Sequence, residues 1–316
     1  MIFSNMFFSL AISCEGSVIT NGRSYMIIND ISISGCAFYR HNDYNGQGGV
    51  IYSNGNFNIG LYSCMFYGCR ASQEGGAVFL ICKNAEFDYF CGQKCHNSAD
   101  LNTGAHFGCF EAFNSTTIRY GTVTSCSNLS IGYNCMMING GKQECSNSNI
   151  TKNICYSSSG IRFNNPESLK CEFSHFERNH ASVSIIIYLS GGSSSRLLQN
   201  CNIFNNTQGT VHGGIVRVWS GSFQVSKSII SHNTKILFGT NSGTLLISEC
   251  IIAHQDTSKS GSVTLQSNVA TTKSPFPYQL FNTYYCMANP IAVYPAPSRE
   301  FMQSTRNLVL VYFCLI

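Results

Sequence analysis

The chain has 316 residues, of which only 11% are charged and 44% hydrophobic, with a formal net charge of +4. The charged share lies far below the roughly 25% of ordinary globular domains, while the apolar content suffices for a continuous core and excludes a disordered chain. The positive charge is spread thinly with no Lys/Arg run, so the electrostatic footprint of a nucleic-acid binder is missing.

Residues 1–13 (MIFSNMFFSLAIS) are apolar and precede Cys14-Glu15-Gly16. They read either as the apolar region of a signal peptide, without its basic start, or as a first coil or cap built on Phe3, Phe7 and Leu10. A spaced signature then begins: Cys36 with Phe38, His41 and Asn42, Cys64 with Phe66, and Asp88 with Phe90 and Gln93. It sharpens further along the chain. Ser148-x-Ile150-x-x-Asn153, Ser174-x-Phe176-x-x-Asn179, Cys201-x-Ile203-x-x-Asn206, Ser228-x-Ile230-x-x-Asn233 and Cys250-x-Ile252-x-x-Gln255 start 26, 27, 27 and 22 residues apart. A fixed period of this size means stacked supersecondary units.

Glycine corners lie between the copies: Gly48-Gly49-Val50-Ile51-Tyr52, Gly75-Gly76-Ala77-Val78-Phe79 and Gly213-Gly214-Ile215-Val216, with weaker forms at Thr103-Gly104-Ala105 and Ser159-Gly160-Ile161. Each leads into a strand. Alternating segments such as Phe57 to Cys64 place Phe57, Ile59 and Leu61 on one face. No helical pattern intervenes. The expected fold is all-β, a single-stranded right-handed parallel β-helix of about nine coils of 22–30 residues, since no coil alone buries its apolar face. A leucine-rich repeat lacks its leucine frame here, a propeller blade is longer, and a sandwich does not repeat its residue types at a constant interval.

The reading places the repeat domain at residues 14–269 and a cap or linker at 270–316, where five of the six prolines fall. Leu308 to Ile316 is apolar but shorter than the roughly 20 residues a bilayer span requires, so it reads as a core strand or as the start of a membrane anchor.

Chemistry-bearing residues are sparse. Phe66, Phe90, Ile150, Phe176, Ile203, Ile230 and Ile252 are expected in one buried column, with Cys36, Cys64, Cys201 and Cys250 also facing inward, because Cys and Ser interchange at a site that wants a small side chain. The 17 cysteines are an odd number, and an exported chain is expected to carry some disulfides. Cys91-x-x-x-Cys95 and Cys64-x-x-x-x-Cys69 lack a second pair at zinc-ligand spacing. Asn153, Asn179, Asn206 and Asn233 are expected to stack at one corner as a structural ladder, since asparagine tolerates the left-handed conformation and its side chain can bond the backbone or the Asn above. His232 and His254 precede that corner and read as exposed. Acceptor sequons at Asn114, Asn128, Asn149 and Asn205 are glycosylation candidates in a secreted chain.

Gly75-Gly76-Ala77-Val78 and Phe176-Glu177-Arg178-Asn179 resemble the GGA-[I/L/V] and FxxN elements of the polymorphic outer membrane proteins and related right-handed β-helix surface proteins. The chain also resembles the Cys-, Ser- and Asn-rich β-helix surface families of parasitic protists, over roughly residues 14 to 265. It departs from the first in carrying Ile for Phe in most copies and in lacking a recognisable translocator barrel. The resemblance implies a non-catalytic cell-surface or secreted protein in adhesion, with a host, matrix or glycan partner. The alternatives are a carbohydrate-active enzyme of the pectate-lyase-like class and a structural spacer. The five aspartates, Asp30, Asp43, Asp88, Asp100 and Asp256, are scattered and give no paired-carboxylate motif. The sequence therefore designates no catalytic residue, metal ligand or cofactor.

Overall fold

The computed structural model describes residues 10–13, 18–20, 24–43, 46–98, 104–126, 132–183, 185–192, 196–209, 213–234, 236–253 and 258–271. Among them every regular element is a strand, and each strand pairing is parallel. The fold is a parallel β-helix. A coil in the middle of the stack shows the plan: strands Asn149–Thr151, Ile154–Cys155, Ser158–Asn164 and Ser168–Glu172 are separated by corners. One turn later His175–Glu177, His180–Ala181, Ile185–Ser190 and Arg196–Gln199 pair with them in register.

The first face is an eleven-stranded sheet running from Val18–Thr20 to Val269–Thr271. Nine coils were expected from the repeat signature; the two additional strands lie at the ends, where the signature fades. The short strands after the first face form two three-stranded sheets, and the remaining strands merge into a nineteen-stranded sheet, because Val78–Asp88 and Ala105–Arg119 run on through a corner with a register shift between Cys82 and Asn84. At the N-terminal end Leu10–Ser13 pairs with Ile31–Ser34. The segment 272–316, with its prolines and apolar tail, lies outside the described residues.

Of the expected column, Phe66, Ile150, Phe176, Ile203, Ile230 and Ile252 lie in one column and all are buried, with Gly92 and Val123 on the two rungs between Phe66 and Ile150. Phe90 corrects the expectation. It is buried, but Gly92 rather than Phe90 follows Phe66, so Phe90 stands over Cys64 in the small-residue column and Gly92 takes the Phe position. Volume explains the exchange. A Cβ on Gly92 would meet the Phe107 ring at 2.3 Å, and Phe107 stacks on Phe90 at 5.6 Å. Aromatic bulk has moved two residues along the strand while the cross-section stays filled.

The expected asparagine ladder is present, with the side chains of Asn153, Asn179, Asn206 and Asn233 bonded one to the next, but the left-handed conformation at this corner falls on other residues. The left-handed residues are those just before it: Lys152, Arg178, Asn205 and His232, with φ of 57°, 53°, 54° and 55°. Each asparagine instead turns its side chain inward. Nδ2 of Asn153, Asn179, Asn206 and Asn233 donates to the carbonyls of Val123, Ile150, Phe176 and Ile203 in the preceding coil at 2.8–3.0 Å. Oδ1 of Asn153, Asn179, Asn206 and Asn233 accepts the backbone N–H of Cys126, Asn153, Asn179 and Asn206. The asparagine must reach inward, so its neighbour makes the turn. A left-handed non-glycine residue costs roughly 1–2 kcal/mol. That cost is offset by a bond to the next coil, as in Lys152 N–H to Glu177 O at 2.9 Å.

Earlier in the stack the same corner holds other residues in the same role. Cys69, Cys95 and Cys126 direct their thiols at the carbonyls of Phe38, Phe66 and Gly92, and Nε2 of His41 lies 3.0 Å from that of Ile19. Twelve described cysteines are free thiols and every one is buried. Burial pushes Cys64 and Cys250 up to about 11 and Cys82 to about 12, so these thiols are inert small hydrophobes at neutral pH. Cys36 departs from its group: it faces inward as expected but is disulfide-bonded, as is Cys91.

Ile203→Asp would bury a carboxylate without a partner and is expected to cost more than about 4 kcal/mol. Lys227→Ala, at an exposed turn position one residue before buried Ser228, is expected to stay within about 0.5 kcal/mol. Thermal unfolding of the two variants checks the inward–outward pattern, and comparable shifts would contradict it.

Candidate binding face

The sheet that follows the glycine corner carries the most distinctive outer surface. Gly75, at φ +65°, turns the chain, and a Cβ on Gly76 would meet the His106 carbonyl at 2.1 Å, so strand entry is tightly fixed. Strand alternation then sends every second residue outward. In register, Met26, Tyr52, Phe79, Cys109, Met137, Arg162, Tyr188, Arg217 and Gly239 form one outer column.

Its two ends differ. Toward the N-terminus, Phe79, Ala105 and Cys109 form a small buried cluster with Tyr52, Ile81 and Met137 packed on it, and the Tyr52 and Phe79 rings stack at 5.8 Å. Glu74 and Glu111 border this cluster and both act on Cys109, whose thiol burial and these carboxylates push up. Desolvation, and then the Glu111 charge, raise the Glu74 carboxyl above its usual range, although Gln47 donates to it at 3.4 Å. Toward the C-terminus the surface is cationic and aromatic. The Arg162 guanidinium lies 4.6 Å from the Tyr188 ring centre and 5.7 Å from that of Tyr133, and the Arg217 guanidinium lies 5.1 Å from Trp219, which is 43% exposed. Asn139, Asn164 and Ser190 line the adjacent outer column, with Asn164 bonded to Asn139 at 3.0 Å.

The residues singled out in the sequence lie elsewhere. Asp30 is exposed and accepts the N–H and the Nδ2 of Asn58, both at 2.8 Å, and these bonds hold its carboxyl below the usual range. Asp88 lies 3.8 Å from Arg119, which also pairs with Glu86. Both aspartates are thus held in local structure. Asn114 is exposed, Asn205 is half-buried at a left-handed turn, and Asn128 lies outside the described residues. Asn149 is 3% exposed within strand Asn149–Thr151, which leaves its amide no room for a glycan in the folded chain. His232 is exposed, and His254 lies outside the described residues. Cys64, Cys69 and Cys95 are buried free thiols, those of Cys69 and Cys95 interacting on successive coils, and no group of three or more metal-ligating side chains occurs among the described residues.

The outer column escaped the sequence reading by one residue. Tyr52 and Phe79 closed the glycine signatures, but the corresponding Arg162 and Arg217 follow directly after Ile161 and Val216, where the signature was cut. The paired Glu74 and Glu111 lie 37 positions apart and meet only because the coil returns.

No protein-family model, no curated protein and no solved structure matches the chain.

Because the Glu74 carboxyl is raised, this group contributes stability below the unfolded carboxylate value of about 4.3, and that contribution is lost as pH rises through the folded value. Glu74→Gln is therefore expected to raise the melting temperature at pH 7, with the gain vanishing toward pH 3.5. A gain independent of pH would show that desolvation and Glu111 are not its cause.

Proposed function

We propose that this chain is a non-catalytic β-helix binding protein, secreted or displayed at a cell surface, that engages its partner along the outer column between Tyr133 and Trp219. The observation that carries this reading is the run of Arg162, Tyr188 and Arg217 on successive rungs, with Trp219 beside it. Tyr, Trp and Arg are the side chains that dominate recognition surfaces. A rigid sheet presents them at fixed spacing without an ordering cost on binding, as solenoid surfaces do.

The disulfide bonds of Cys36 and Cys91 support an oxidising location. The GGA-[I/L/V] and FxxN elements support kinship with the polymorphic outer membrane proteins and the protist surface families, and with it a role in adhesion. Asn114 is the most accessible of the described sequons and is the first expected to carry a glycan.

Glycan cleavage is the second reading, favoured by one observation: two carboxyl side chains, Glu74 and Glu111, close enough that the Glu111 charge helps to raise the Glu74 carboxyl. The test is paired. Purified protein is assayed for retention on host cells and extracellular matrix, and for product release from polygalacturonate and alginate with and without calcium. Retention without turnover is expected. Turnover abolished by Glu74→Gln, or by changing Asp30 or Asp88 to Asn, would replace binding by catalysis, and loss in both assays would leave only a spacer.

A further inference from the structure

From the placement of Arg162, Tyr133, Tyr188, Arg217 and Trp219 we infer that the C-terminal half of the outer column is a subsite for an anionic polysaccharide, one bearing carboxylate or sulfate groups. This rests on the binding reading and names its ligand class. Neither guanidinium has an ion-pair partner among the described residues, where Arg119 has two and Lys170 and Arg178 have one each. The Nε of Arg162 is buried with no hydrogen-bond partner. Its guanidinium carbon lies near both the Tyr133 and the Tyr188 rings, and a ring face beside a guanidinium presents carbon–hydrogen packing and anion recognition at adjacent points. Pyranose rings offer apolar faces to the first, and uronate or sulfate groups offer oxygens to the second.

Spacing agrees with a polymer. Arg162 and Arg217 are separated by the Tyr188 rung, so they lie two inter-strand steps apart, roughly 9.6 Å, close to one disaccharide of an extended chain. Asn139, Asn164 and Ser190 run alongside and supply donors and acceptors for hydroxyls. Glu74 and Glu111, near Cys109 two rungs before Arg162, repel an anion from the N-terminal end and direct it to this half. A single-stranded nucleic acid also joins phosphate to ring stacking, but it needs cations tracking many phosphates. Two guanidiniums in a chain of net charge +4 do not provide them.

Trp219 is the only tryptophan of the chain, so its fluorescence reports on this subsite alone. The probes are heparin and polygalacturonate oligomers, neutral dextran and poly(U). A saturable change with at least one anionic glycan is expected, weakened by salt, with none for dextran. Arg162→Gln and Arg217→Gln are each expected to weaken binding at least tenfold, while Lys152→Gln on another face leaves it unchanged. Circular dichroism of each variant confirms the fold, and glycan retention on a column provides a second readout for Arg162→Gln. No response to any anionic glycan, undiminished binding by the double variant, or equal affinity for poly(U) would overturn the inference. Cell or matrix retention surviving in Arg162→Gln/Arg217→Gln would overturn the subsite alone, whereas absent retention by the unaltered protein would overturn the binding reading beneath it.

Discussion

One hydrogen bond organises this stack: the side chain at the corner following the first face donates to a backbone carbonyl one coil earlier, three residues before the equivalent corner residue of that coil. It is made by Asn153, Asn179, Asn206 and Asn233, and by the thiols of Cys69, Cys95 and Cys126. Turning a chain of short strands through a closed coil leaves corner carbonyls and N–H groups that the sheets do not reach. Buried and unpaired, each would cost about 1–3 kcal/mol. Asparagine satisfies both kinds at once, since Oδ1 accepts a neighbouring N–H while Nδ2 donates twice, to the carbonyl and to the next amide, as in Asn179 to Asn206 at 3.1 Å. Such a chain of amides is cooperative in a low-dielectric interior.

The rest of the molecule accommodates that bond. With the corner side chain committed inward, the turn is made by the preceding residue, and its outward side chain is free to vary: Arg, Lys, Ser, Asn and His all occur there. Most of the solenoid surface is therefore unconstrained by the fold. That freedom is what permits one outer column to concentrate Arg162, Tyr188 and Arg217, while the inward columns hold Ile, Phe, Cys and Ser almost without charge.

Much of this was legible from spacing. The offset of two between Cys201 and Ile203, or between Ser228 and Ile230, encodes one strand face, and both pairs are buried as that offset requires. The shift at Phe90 was not legible, because Asp88 imitated the position of a small residue, and only the Phe107 ring over Gly92 reveals the exchange of volumes. Nor could sequence tell which residue of a corner adopts the left-handed turn. Asparagine's conformational tolerance pointed to Asn179, while its hydrogen-bonding capacity, which decides the matter, depends on a carbonyl 29 positions away. The binding face was hidden for the same reason: Arg162 and Tyr188 become neighbours only through coil register.

If the corner bond governs the stack, the cysteine at position 126 should be replaceable by asparagine. Its side chain would find the Gly92 carbonyl, which the thiol already faces, and would adjoin Asn153, extending the amide ladder by one rung. The decisive measurement is the thermal unfolding of Cys126→Asn beside Cys126→Ala. The account predicts that Cys126→Asn melts at or above the unaltered protein and that Cys126→Ala melts well below it. A Cys126→Asn variant as destabilised as Cys126→Ala would show that this corner wants only a small apolar side chain, and the central role given to the bond would fall.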